Sequence, residues 1–215
     1  MSWPSDPAPR SAVPSTVKII VTGGFGVGKT TFVGAISEIE PLVTEAPMTE
    51  VAHGVDDLTA TPGKRSTTVA LDFGRIRIDS GLLLYLFGTP GQQRFSFLWD
   101  DLVDGAVGAV VLVDLRRIQD CFPVLDYLER RGIPFLLAVN DFDPAQRFDD
   151  DEVREALGVS GDVGLIGCDA RRRNSVKRVL VALLDQLLGR LQGAPADDAG
   201  LAPLRGRVVG GATRT

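Results

Sequence analysis

The chain carries the string Gly23-Gly24-Phe25-Gly26-Val27-Gly28-Lys29-Thr30, a match to the GxxxxGK[ST] pattern. Each residue type in it suits one task around a polyphosphate. Glycines let the backbone curl until several N–H groups point inward at phosphate oxygens. A helix opening directly after the string adds the positive end of its dipole. The Lys29 ammonium reaches the β- and γ-phosphates, where it also stabilises charge during transfer, and the Thr30 hydroxyl ligates Mg²⁺. Gly24, Gly26, Val27, Gly28, Lys29, Thr30 and Thr31 are therefore expected against a nucleoside triphosphate, with Lys29 also counted as catalytic. The bland alternative is a glycine-rich turn that binds nothing.

A second string, Val139-Asn140-Asp141-Phe142-Asp143, follows an apolar run and resembles the NKxD motif of GTPases. Asp143 would accept hydrogen bonds from guanine N1–H and the exocyclic amine. Adenine offers neither donor and leaves a buried carboxylate unpaired, which discriminates strongly. Asn140 joins Asp143 in the expected base site. Asp141 stands where the motif has Lys, so base stacking is weakened or done otherwise. The competing reading is a turn that merely ends a strand with Asn and Asp. Cys168-Asp169-Ala170-Arg171 looks like the SAK loop, whose Ala N–H touches guanine O6; Ala170 takes that place.

Positioning these strings requires an alternating α/β order. Apolar runs at Val17–Thr22, Thr68–Ile78, Leu82–Phe87, Val107–Val113, Ile133–Val139 and Val163–Gly167 read as strands. Asp79-Ser80-Gly81 marks a hairpin between the second and third. Helical spacing covers Lys29–Ile39, Ile118–Arg131, Asp150–Leu157 (capped by Asp149 or Asp150) and Asn174–Leu191. The fold class is α/β: a mostly parallel six-stranded sheet with one antiparallel edge strand and helices on both faces. Ligands in such sheets bind at the carboxyl ends of the strands. The expected organisation is a proline-rich leader over 1–15, one domain over 16–191 and a flexible tail over 192–215.

Composition bounds the function further. The 215 residues carry a formal charge of −5, which argues against a broad nucleic-acid face. The two cysteines, Cys121 and Cys168, lie too far apart for a metal-spaced pair and read as small core residues, as suits a reducing cytoplasm. No window reaches membrane-spanning length, Met1-Ser2 lacks a myristoylation glycine, and no prenylation cysteine stands near the end. A cytoplasmic protein without its own membrane anchor is expected, recruited to membranes by partners if at all.

The string LYLFGTPGQQRFSFLWDDLVDGAVGAVVLVDLRR, with TTVALDFG before it, resembles the Ras-like small GTPases. Within them it is most similar to the conservon GTP-binding proteins of actinobacteria, akin to MglA-type GTPases. That resemblance implies a P-loop G domain and a set of roles. A threonine ahead of the second strand binds Mg²⁺ and senses the γ-phosphate; Thr68 fits best, with Thr67 one residue off. Gly91 gives its N–H to the γ-phosphate, and Gln92 orients the attacking water. The aspartate of the DxxGQ motif is missing: Gly88 stands in its place, with Asp72 or Asp114 as possible substitutes. Arg65 or Arg94 is a candidate arginine finger. The aperiodic stretch ahead of Thr67 reads as an enlarged first switch, and part of the Phe95, Phe97, Leu98 and Trp99 cluster as an exposed apolar patch. The resemblance also implies a roadblock-type partner and a membrane sensor-kinase-like component. The expected activity is slow, Mg²⁺-dependent hydrolysis of GTP to GDP. The alternatives are a GTP-binding scaffold with negligible turnover and an ATP-using P-loop protein.

Overall fold

The computed structural model describes residues 14–40, 42–49, 66–142 and 149–193, with backbone alone at 42–49, 66–70, 93–94 and 193. The elements are β1 (Ser15–Gly23), α1 (Lys29–Ile36), β2 (Leu42–Thr49), β3 (Ser66–Arg77), β4 (Leu82–Gly88), a 3₁₀ segment Gln93–Leu98, α2 (Trp99–Val103), β5 (Ala106–Val113), a 3₁₀ segment Leu115–Cys121, α3 (Phe122–Arg131), β6 (Phe135–Asn140), α4 (Asp150–Leu157), β7 (Leu165–Cys168) and α5 (Arg173–Gly193). They form one sheet in the order β2-β3-β4-β1-β5-β6-β7.

Six strands run in one direction and β3 is reversed, pairing antiparallel with both β2 and β4. The α/β reading therefore holds, with one correction. The sheet has seven strands rather than six, because Leu42–Thr49, expected inside a loop, forms the outermost strand. That strand contains Pro47, which removes a ladder donor and is tolerated at a sheet edge. As a result β3 is not the edge.

Central strands are buried on both faces, so successive residues feed two cores. Ile19 and Val21 of β1 join Phe32 and Ile36 of α1 and Val176, Val179 and Leu183 of α5. Ile20 points the other way, with Val111 and Val113, toward Val124, Leu125 and Leu128 of α3 and Val153 and Leu157 of α4. Each fully buried Leu, Ile or Phe contributes about 1.5–3 kcal/mol. Two packed faces thus hold the carboxyl edge of the sheet rigid under the loops that carry the chemistry.

The smaller readings also find their places. The β3–β4 hairpin closes with Gly81 N–H donating to Asp79 Oδ1 at 2.6 Å. Asp149, rather than Asp150, caps α4 through the N–H of Asp151. Cys121 and Cys168 are free, buried core thiols, and burial pushes each up to about 11. Among the described residues no helix is long and apolar enough to cross a membrane.

Candidate functional site

Gly28 opens α1 at φ 103°, a left-handed conformation that suits glycine. Space reinforces that demand: a Cβ at Gly28 would stand 2.8 Å from Asn140 Nδ2. The turn aims the start of α1 at the mouth of the phosphate loop. No side chain caps that helix, and its first turn holds no acidic residue. The N-terminus of α4 differs, carrying the Asp149 cap and Asp150, Asp151 and Glu152. The α1 amides and dipole are thus left for an anion, and those of α4 are answered by the protein's own carboxylates.

Lys29 lies almost wholly buried, its ammonium donating to the Gly23 and Gly24 carbonyls at 3.0 and 2.7 Å. Burial lowers its pKa to about 8, against an opposing pull from the Asp72 carboxylate. The unfolded chain keeps its proton to higher pH. The cost of burying the charge is therefore full below pH 8 and fades as pH rises toward 10.5. An anionic ligand beside the ammonium offsets that cost.

Thr30 Oγ1 donates to Asp72 Oδ2 at 2.8 Å. Asp72 is the β3 residue paired with Gly88 of β4, and a Cβ on Gly88 would stand 2.8 Å from Asp72 Cβ and 2.9 Å from Oδ2. Of the two carboxylates considered for the missing motif aspartate, only Asp72 touches the phosphate loop. Asp114 instead accepts from Arg116 Nε at 2.9 Å and Nη2 at 2.8 Å, bonds that hold its pKa low, and it caps the segment Leu115–Cys121. Among the described residues no group of three or more His, Cys, Asp or Glu is placed to hold a metal ion. A hydroxyl beside a single carboxylate is an all-oxygen set that fits Mg²⁺, which keeps several waters and is completed by substrate phosphates.

Beyond β4, Thr89 pins the chain to the phosphate strand: its N–H donates to Val21 O at 2.9 Å and its hydroxyl to Thr22 Oγ1 at 2.8 Å. That tether lays Gly91 on the phosphate loop, where a Cβ would stand 2.6 Å from Lys29 Nζ and 2.8 Å from Phe25 Cα. Gln92 follows, half-buried with extended backbone. Of the aromatic cluster after it, Phe95 and Trp99 are buried and Phe97 is 45% exposed.

The loop after β6 is tied to the phosphate loop by Asn140. Its Nδ2 donates to Val27 O at 2.9 Å, and its Oδ1 accepts from Ala170 N–H at 3.0 Å. The Ala170 amide, expected to face a purine oxygen, is in this structure committed to Asn140 instead. Arg116 lies 4.0 Å over the Phe142 ring, making a flat surface beside Asp141, where the motif lysine is absent. A cleft of about 1150 Å³ runs past Asn140, Phe142 and Asp169. Its lining includes no residue of Gly23–Thr30 and continues along α5 past Lys177, Arg178 and Asp185.

Other expected residues lie elsewhere in the sheet or outside the described residues. Thr67 and Thr68 lie within β3, in register with Met48 and Pro47 of β2. Thr68 thus stands about 13 Å along the strand from Asp72. It lies in the part of β3, before Asp72, that pairs with β2 alone and runs beyond the end of β4. Asp143 and Arg65 fall outside the described residues, as do most of the leader and the tail; the Arg94 side chain is not described. One residue was missed in the sequence: Arg117, which donates to the Phe25 carbonyl and pairs with Asp120 at 2.8 Å. No motif marks it; only the fold brings the segment Leu115–Cys121 beside the phosphate loop.

The family described as "Conserved hypothetical ATP binding protein" matches residues 21–190. The chain belongs to that family. A relative from Methanocaldococcus jannaschii, "Uncharacterized protein MJ1339", is 28% identical over 129 residues, spanning 59% of this chain and 71% of the relative. The fold of this chain is similar to that of G domains. The G domain of FeoB from Methanococcus jannaschii superposes with a TM-score of 0.54 at 17% identity, covering 80% of this chain and 98% of that one. The cytosolic domain of the T. maritima FeoB iron transporter in GDP form I gives 0.59 at 18% identity, covering 82% of this chain and 65% of that one. The chain is thus a P-loop protein with a nucleotide-binding fold of G-domain type.

Proposed function

We propose that this family member is a guanine-nucleotide switch that binds GTP with Mg²⁺ and hydrolyses it slowly. The observation that carries the reading is the Asn140 bridge, which joins the loop for the phosphates to the loop for the base. In this reading Lys29 and the α1 amides hold the phosphates, Thr30 and Asp72 hold Mg²⁺, Gln92 orients water and Asp143 selects guanine. Mg²⁺ held there would supply neutralisation of charge on the phosphates. Thr68 joins only if β2 and β3 part. The resemblance of the string from Leu84 to Arg117 supports placing the switch in conservon- or MglA-type bacterial signalling, in the cytoplasm, with roadblock-type and sensor-kinase-like partners.

The family description favours a second reading, with ATP as ligand. Displacement of a fluorescent GDP analogue separates the two. GTP is expected to displace it at roughly 10²–10³-fold lower concentration than ATP, and Asp143→Asn to narrow that gap below about tenfold. Preference for ATP by the unaltered protein would overturn the guanine reading.

A scaffold without turnover is told apart by single-turnover hydrolysis. Gln92→Leu is expected to slow it at least about tenfold with GTP affinity unchanged. Equal rates in the two proteins would remove Gln92 from the chemistry.

A further inference from the structure

We propose that Asp72 is the positioning carboxylate for Mg²⁺ at Thr30, moved one strand over from the position that Gly88 occupies. The proposal rests on the GTP–Mg²⁺ reading above. Three observations support it.

The first is the bond itself. The Thr30 hydroxyl donates its proton to Asp72 Oδ2 at 2.8 Å. A hydroxyl that gives a cation its lone pair needs somewhere to place its proton, and an ionised acceptor both orients that lone pair and enriches it. The second is space. Asp72 occupies the volume that a side chain at 88 would need, with contacts of 2.8 and 2.9 Å to any Cβ there. The third is register. Asp72 and Gly88 are cross-strand partners in the β3–β4 ladder, so one carboxylate can be carried on either strand and still face the phosphate loop. The aspartate missing from the Gly88-Thr89-Pro90-Gly91-Gln92 string and the glycine at 88 are then one event. The carboxylate sits on β3, and glycine at 88 makes room for it.

The test is an exchange. Purified protein is loaded with a fluorescent GDP analogue, and its release is followed against free Mg²⁺, with excess EDTA as the metal-free reference. Asp72→Asn keeps the shape and an acceptor for Thr30 but removes the charge. It is expected to lower Mg²⁺ affinity about 10–100-fold, read for each protein against its own release rate in EDTA. Gly88→Ala should do the same by pushing the carboxylate aside. Asp72→Gly/Gly88→Asp, which returns the carboxylate to β4, is expected to recover most of the lost Mg²⁺ affinity. Wild-type Mg²⁺ dependence in Asp72→Asn overturns the proposal, and so does failure of the exchange in a variant that still binds GDP in EDTA. If the unaltered protein takes up no guanine nucleotide at all, the underlying reading falls and this one with it.

Discussion

Lys29→Met is expected to abolish nucleotide binding while leaving the nucleotide-free fold at least as stable as before. The two effects have opposite causes at one atom. Burial holds the Lys29 pKa at about 8, so near neutrality the charged side chain is kept at a cost of roughly 3 kcal/mol relative to its ordinary 10.5. Methionine has similar length and no charge to bury. It forfeits the bonds to the Gly23 and Gly24 carbonyls, each about 1 kcal/mol, leaving a net gain of about 1 kcal/mol in the absence of ligand. With ligand the balance reverses. Charge-assisted bonds from one ammonium to phosphate oxygens are worth about 3–5 kcal/mol together, so affinity should drop at least about 10²–10³-fold. Thermal unfolding with and without GTP and Mg²⁺ reads both effects. The unaltered protein should gain about 2.7 kcal/mol at ligand a hundredfold above Kd, and the variant none. A variant clearly less stable without nucleotide would show that Lys29 serves mainly to hold its own loop.

Asn140→Ala is the second large effect. Asn140 is buried and bonds at both ends of its amide, to loops far apart in the chain. Removing it strands the Val27 carbonyl and the Ala170 N–H, each costing about 1–3 kcal/mol when left without a partner. A loss of about 2–4 kcal/mol in urea unfolding is expected, together with at least a hundredfold loss of GTP affinity as the two loops lose their fixed spacing. Asn140→Asp divides the roles. It keeps the acceptor for Ala170 and sets a negative oxygen against the Val27 carbonyl, so the phosphate loop should suffer and the Ala170 turn should not. Hydrogen exchange at the Ala170 amide reads the difference: protected in the aspartate variant, exposed in the alanine variant. Unchanged affinity in both would mean that phosphate and base loops are held by their own strands.

What the residues alone determined is whatever is encoded within one short segment. The phosphate loop is contiguous, and its glycines and Lys29 act through local backbone shape, so type and spacing suffice. Central strands β4, β5 and β6 are almost wholly apolar and β1 is so over Ile19–Val21 because both faces are covered, and the β3–β4 hairpin is written in Asp79-Ser80-Gly81. β2 was illegible because Pro47 and Glu45 break its pattern, and an edge position tolerates both. Tertiary structure alone decided which carboxylate meets Thr30. Asp72 and Asp114 both lie in strand-end loops or ladders rich in glycine and apolar residues, and no local rule ranks them. The antiparallel register of β3 on β4 sets Asp72 opposite Gly88, while Arg116 occupies Asp114. The same holds for Arg117 at the Phe25 carbonyl and Asn140 between two loops. Each is a pairing across long stretches of chain, and its energy depends on distance and burial in the folded sheet, which composition and spacing do not carry.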